Sequence, residues 1–175
     1  VCVMPRYSDP SGTTASSAFC VTKAVSAATP VLNSKPGAAG VLFLDFDGAM
    51  VMAPEWNGGA LISALPATIG TTPITAAQIT DVWRRVAEDF RPFDVNVTTD
   101  EALYLDPSKV GHRGRCIITP TDAWYYGTAG GVAYLNSYRG PADGWSSAIP
   151  CWCWNNSSTA IMAMTISHEF GHMVD

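Results

Sequence analysis

Charged residues are scarce in this chain, 14% of 175, a proportion low for a cytosolic protein and more usual in secreted ones. Basic residues nowhere cluster and the formal net charge is −5, which argues against a nucleic-acid partner. No apolar run is long enough to span a membrane. There is no methionine before Val1 and no visible signal peptide, so the chain reads as a processed or excised polypeptide. No internal repeat occurs, and no two cysteines have the Cys-x-x-Cys spacing of a zinc ribbon or redox pair.

What is present is a globular composition, 47% hydrophobic, in a chain long enough for one domain with a sizeable core. Five cysteines stand at positions 2, 20, 116, 151 and 153. In a secreted protein they make two disulfides and leave one thiol. Cys2 and Cys20 bracket one loop and are expected to close it. Strand alternation puts Cys151 and Cys153 on one face, so either can face the strand that holds Cys116. A bond between Cys151 and Cys153 themselves has poor geometry.

The most informative stretch is the last, Ser167-His168-Glu169-Phe170-Gly171-His172-Met173-Val174-Asp175. It reads His-Glu-x-x-His, the pattern of a zinc hydrolase helix. Histidines four apart lie about one helical turn from each other, so both imidazoles leave one face and can reach one Zn²⁺. Glu169 is displaced around the helix, free to act as general base toward a water at the metal. Ser157, Ser158 and Thr159 are each suited to cap this helix. Ala160-Ile161-Met162-Ala163-Met164-Thr165-Ile166 is apolar on nearly every side, which marks a core helix. Ionisable groups at the end of such a helix need a reason to be there.

Earlier in the chain, residues 1–30 carry Pro, Gly and Ser/Thr punctuation and read as an N-terminal arm or pro-segment remnant. Val41-Leu42-Phe43-Leu44 is a central strand ending in Asp45-Phe46-Asp47-Gly48. Residues 49–73 read as a loop with a turn at Trp56-Asn57-Gly58-Gly59. An amphipathic helix follows, boxed by Thr75 and Gln78, with Ile79, Val82, Val86 and Phe90 on its apolar face and Arg91-Pro92 ending it. Val95 and Val97 alternate as a strand. Residues 100–114 read as a polar loop holding His112, the only other histidine. Further strands are expected at 116–118, 131–136 and 149–154, with a loop at 122–131 carrying Trp124, Tyr125 and Tyr126. This order gives an α/β sandwich with a mixed sheet.

These blocks, taken in order, resemble a metzincin-type zinc metalloprotease domain of the secreted bacterial kind. The residues that carry the resemblance run from Leu32-Asn33-Ser34-Lys35-Pro36-Gly37-Ala38 into Leu44-Asp45-Phe46-Asp47-Gly48. They continue through Val82-Trp83-Arg84-Arg85-Val86-Ala87-Glu88-Asp89-Phe90, Pro92-Phe93-Asp94-Val95-Asn96-Val97-Thr98-Thr99 and Gly130-Gly131-Val132-Ala133-Tyr134-Leu135-Asn136-Ser137 to the zinc helix. The resemblance implies a zinc-dependent endopeptidase acting on peptide or protein substrates, with His168 and His172 on the metal and Glu169 as base. It implies a twisted mixed sheet with an antiparallel edge strand, packed on a long helix and a buried active-site helix. That edge matches Gly131, Val132, Ala133 and Tyr134, which would hold an extended peptide as an added strand. Residues 31–175 would then be the N-terminal subdomain of the catalytic domain. Asp175 stands where the family has glycine, and its third histidine falls beyond the last residue. The helix is expected to end at Asp175, where the chain turns back.

Other readings exist. A protease-like fragment that binds peptides without cutting them is the main alternative. Asp45 and Asp47 also resemble the nucleophile strand of haloacid-dehalogenase phosphatases, but Lys109 is the only lysine downstream and no adjacent Asp-Asp occurs. Ordering of a turn is the simpler role for the two aspartates. Cys2 is a candidate zinc-binding latency group, with the plain disulfide reading preferred. Asn96-Val97-Thr98 and Asn156-Ser157-Ser158 match glycosylation sequons.

Overall fold

A computed structural model describes residues 29–109, 112–138 and 149–174. The expected Cys2–Cys20 bond, the latency role of Cys2 and the turn at Asp175 lie outside these residues.

The fold is a mixed α/β domain. A five-stranded sheet has the order β6-β1-β7-β9-β8. Strands β1 (Gly40–Asp45), β6 (Val95–Thr98), β7 (Arg113–Ile118) and β9 (Cys151–Cys153) pair in parallel, and β8 (Gly131–Val132) runs antiparallel to β9 at one edge. All six residues of β1 are buried, as expected of a parallel strand covered on both faces.

Leu42, Leu44, Val97, Cys116, Ile118, Cys151 and Cys153 face two helices, α1 (Ala76–Asp89) and α3 (Thr159–Val174). Helix α1 begins with the expected capping box between Thr75 and Gln78 and buries Ile79, Val82 and Val86. Helix α3 buries Met162, Ile166, Phe170 and Met173 almost completely, each side chain contributing roughly 1.5–3 kcal/mol. Of the three candidate caps, Ser158 does the work: its Oγ accepts the Ile161 N–H at 3.3 Å. The helices are tied at two levels, by Thr159 donating to Asp81 and Ser167 donating to Asp89, both at 2.7 Å.

Two stretches expected as loops carry regular structure. Within 49–73 the chain makes two hairpins, β2 (Ala49–Val51) with β3 (Ile62–Ala64), and β4 (Thr68–Ile69) with β5 (Thr72–Pro73). The strands are too short for a periodic signal; Val51, Ile62 and Ala64 form because they cover Trp152 and Ile117 on the second face of the sheet. Within 100–114 lies α2 (Glu101–Leu105), capped by Asp100 and anchored by Tyr104 against Phe43. The expected edge strand over 131–136 is only Gly131–Val132. Beyond it Asn136 takes a left-handed φ of 59°. There the backbone leaves the sheet to cap α3: the Asn136 and Tyr138 N–H groups donate to the carbonyls of His172 and Met173.

Cys116, Cys151 and Cys153 are all buried, and Cys116 stands directly opposite Cys151 in the β7/β9 register. Burial pushes the Cys116 and Cys153 thiols well above the ordinary range.

Asp45, 1% exposed, is held by Arg115, whose Nε donates to Oδ2 at 3.0 Å and whose Nη2 bonds the same oxygen. The Asp47 N–H donates to Oδ1. A carboxylate so enclosed is poorly placed to attack a phosphate and well placed to order the end of β1. Burial pushes its carboxyl up to about 6 even with the guanidinium beside it. Arg115→Ala leaves this group buried without its cation. We expect a loss on the order of 3 kcal/mol in urea unfolding at pH 7.5. The deficit should narrow at pH 5, where Asp45 takes up a proton and needs no partner.

Candidate metal centre

The last two turns of α3 carry His168, Glu169 and His172. The apolar face of the helix, Phe170 and Met173 included, is spent on the core, and the two histidines stand off that face: His168 is exposed and His172 half-buried. Their Nε2 atoms are 3.1 Å apart, with the rings at 78° to each other. Two ligand bonds of about 2.0–2.1 Å can meet at one point from atoms so spaced. The donor chemistry, two converging imidazoles, suits a borderline metal such as Zn²⁺. Among the described residues no group of three or more His, Cys, Asp or Glu is arranged to hold a metal. His112 takes no part: its carbonyl accepts from the Val41 N–H and the Tyr138 hydroxyl.

Glu169 sits between the histidines in sequence and is enclosed against the sheet edge. It is 5% exposed, and its carboxylate accepts no hydrogen bond from a described residue. Burial raises its pKa above the ordinary carboxylate value, the nearby His168 opposing. The neighbour that encloses it is Gly131 of β8. A Cβ added at 131 would lie 2.8 Å from Glu169 Cγ, 2.9 Å from its Oε1 and 2.5 Å from the Trp152 carbonyl oxygen. The carboxylate can occupy this position only because residue 131 has no side chain.

The other expected edge residues divide between the two faces of the sheet. Val132 lies opposite Trp152 and packs with Tyr134 on an aromatic cluster. Ala133 packs on the core beneath α3. Ala133 and Tyr134 lie beyond the end of β8 rather than within it. Among the described residues β8 is the outermost strand and pairs on one side only. The tight packing of Gly131 on Glu169 was not read from the sequence, although the Gly130-Gly131 pair just before a strand is the usual mark of close backbone approach. Of the two sequons, Asn96 is 2% exposed and bonded to Asn33 and Lys35, so it has no amide free for a glycan.

No family model, curated protein or solved structure matches the chain significantly.

The contact between β8 and α3 can be measured by a double-mutant cycle. Gly131→Ala should destabilise the metal-free protein by about 1–3 kcal/mol, as overpacking does. Combined with Glu169→Ala the cost should fall, because one of the two obstructing groups is gone, while the Trp152 carbonyl still objects. Thermal unfolding of the four proteins checks it, and strict additivity would show that the two residues do not meet.

Proposed function

We propose that this chain belongs to a zinc-dependent endopeptidase of metzincin type, in which His168 and His172 hold the metal and Glu169 is the general base. The observation that carries the reading is the pair of imidazole nitrogens 3.1 Å apart, offered by the end of a helix that is otherwise spent on the core. Zn²⁺ bound there supplies Lewis acidity to a water and to a scissile carbonyl. The chain's own residues do the rest. Glu169, buried and without a hydrogen-bond partner among the described residues, takes the proton of the attacking water and passes it to the leaving amine. Its raised pKa makes it a better proton acceptor than an exposed glutamate and moves the acid limb of activity upward, since it must be ionised to serve as base. The free edge of β8 offers backbone groups to an extended peptide.

A catalytic zinc usually has three protein ligands, and the described residues offer two converging ones. On this reading the third comes from outside them. That shortfall also favours a second reading, a protease-like module that binds peptides without turnover. The two part on one experiment. Glu169→Ala should leave zinc stoichiometry unchanged and reduce casein hydrolysis by at least about a hundredfold, the scale of a lost general base. Hydrolysis at an undiminished rate sinks the mechanism. Stoichiometric zinc with no hydrolysis in the unmodified protein favours the binding module.

Secretion is part of the same proposal. It is supported by the scarcity of charge and by the absence, among the described residues, of a helix long and apolar enough to cross a membrane. In an oxidising compartment the register selects Cys151 over Cys153 as the partner of Cys116. Peptide mass mapping of protein from such a compartment should find Cys116 linked to Cys151. Free thiols at all three positions would count against the secreted assignment.

A further inference from the structure

On the face of β8 turned away from α3 lies a groove of about 530 Å³, walled by Trp56, Trp124, Tyr125, Tyr126 and Tyr134 with Glu55 at its side. We propose that this groove is a subsite for an arginine or lysine side chain of an extended peptide bound along β8. The inference rests on the peptide-binding edge described above and names the chemistry of what that edge selects.

Position is the first argument. A strand added to the free edge of β8 lies about 4.8 Å from it and sends alternate side chains to the two faces of the sheet. One face is that of Gly131 and Ala133, toward Glu169 and the helix. The other is that of Val132 and Tyr134, toward the aromatic cluster. The groove therefore lies beside the path of a peptide whose other side chains pass the histidines.

Chemistry is the second. The wall is made largely of aromatic rings; among the described residues that line it Glu55 is the one carboxylic acid, and none is Lys, Arg or His. Ring faces attract a cation, and a carboxylate beside them completes a site for guanidinium or ammonium. An aliphatic or aromatic side chain would leave Glu55 without a counter-charge. The protein's net charge of −5 favours the approach of a basic peptide as well.

Rigidity is the third. Trp56 is 5% exposed, its indole N–H donates to the Pro150 carbonyl at 3.0 Å, and its ring centre lies 4.6 Å from that of Tyr134. The Tyr134 hydroxyl donates to the Glu55 carbonyl at 2.9 Å, which joins the edge segment to the groove wall. After Trp56 the backbone turns through three left-handed residues, Asn57, Gly58 and Glu55's near neighbour Gly59, with φ of 51°, 60° and 82°. A wall held in this way loses little freedom on binding. At its mouth the Tyr126 side chain is wholly exposed, a large aromatic surface left in water.

The test uses fluorescein-labelled octapeptides of Ala, Ser and Gly with one arginine moved through the sequence, and the same set with citrulline or phenylalanine in its place. Binding is measured on the full chain by fluorescence anisotropy, and hydrolysis of the same peptides on the zinc-loaded protein. At one position arginine should bind about tenfold more tightly than citrulline, the size of a cation held by rings and a carboxylate. Glu55→Gln and Tyr126→Ala, both at the surface, should each remove most of that preference. Equal binding of arginine and citrulline, or a phenylalanine preference indifferent to Glu55→Gln, overturns the subsite. The two levels separate cleanly. Arginine peptides bound selectively but never cut uphold the subsite and defeat the endopeptidase reading. Peptides cut with no regard to arginine uphold the endopeptidase and defeat the subsite.

Discussion

The contact between Gly131 and Glu169 is the constraint on which the rest of this domain turns. Strand β8 and helix α3 press together so closely that a single methyl group at 131 would meet both the Glu169 side chain and the backbone of the next strand. That proximity buries the carboxylate, raises its pKa and sets the sheet edge beside it. A more distant edge would leave the glutamate in water.

The surroundings keep this contact in place. The last carbonyls of α3, which have no partner within the helix, accept from Asn136 and Tyr138 as the chain leaves β8. The strand is thereby tied to the helix end at the turn that carries His172. Along the helix before it, Asp81 and Asp89 of α1 take hydroxyl donors from Thr159 and Ser167. Few charges are used, and Asp45, the more deeply buried of two enclosed carboxyl groups, is matched by Arg115 stacked near Phe43 and Tyr104. In a chain with so few charged residues, each such pairing fixes a specific junction: strand end, helix pair or sheet face.

The two faces of the sheet have different tasks. One carries aliphatic side chains, three thiols and the two long helices. The other gathers Trp56, Trp124, Tyr134, Trp152 and Trp154 beneath a hairpin. Residues alternate between these faces along β8, so one short strand is in touch with the histidine-bearing helix and with the aromatic groove at once.

Local patterns were enough for much of this. The capping box at Thr75 and Gln78, the spacing of Ile79, Val82 and Val86, the apolar run of β1 and the four-residue interval between His168 and His172 are each encoded by neighbours in sequence, and each stands in the structure where it was expected. The short strands β2 to β5 and helix α2 are not legible, because two to five residues carry no period and form only against a surface already built. The early end of β8 is hidden for a related reason: residues 133–136 read as strand, but the chain turns at Asn136, whose N–H, with that of Tyr138, goes to the unpaired carbonyls of α3. Sequence alone determined that a core helix ends in two imidazoles and a carboxylate on a scaffold of strands and helices. Only the tertiary structure decided that Glu169 is enclosed by Gly131, and that Trp56 meets Tyr134 across a groove that also holds Trp124. Those partners are tens of residues apart, and it is packing between elements, not periodicity within one, that brings them together.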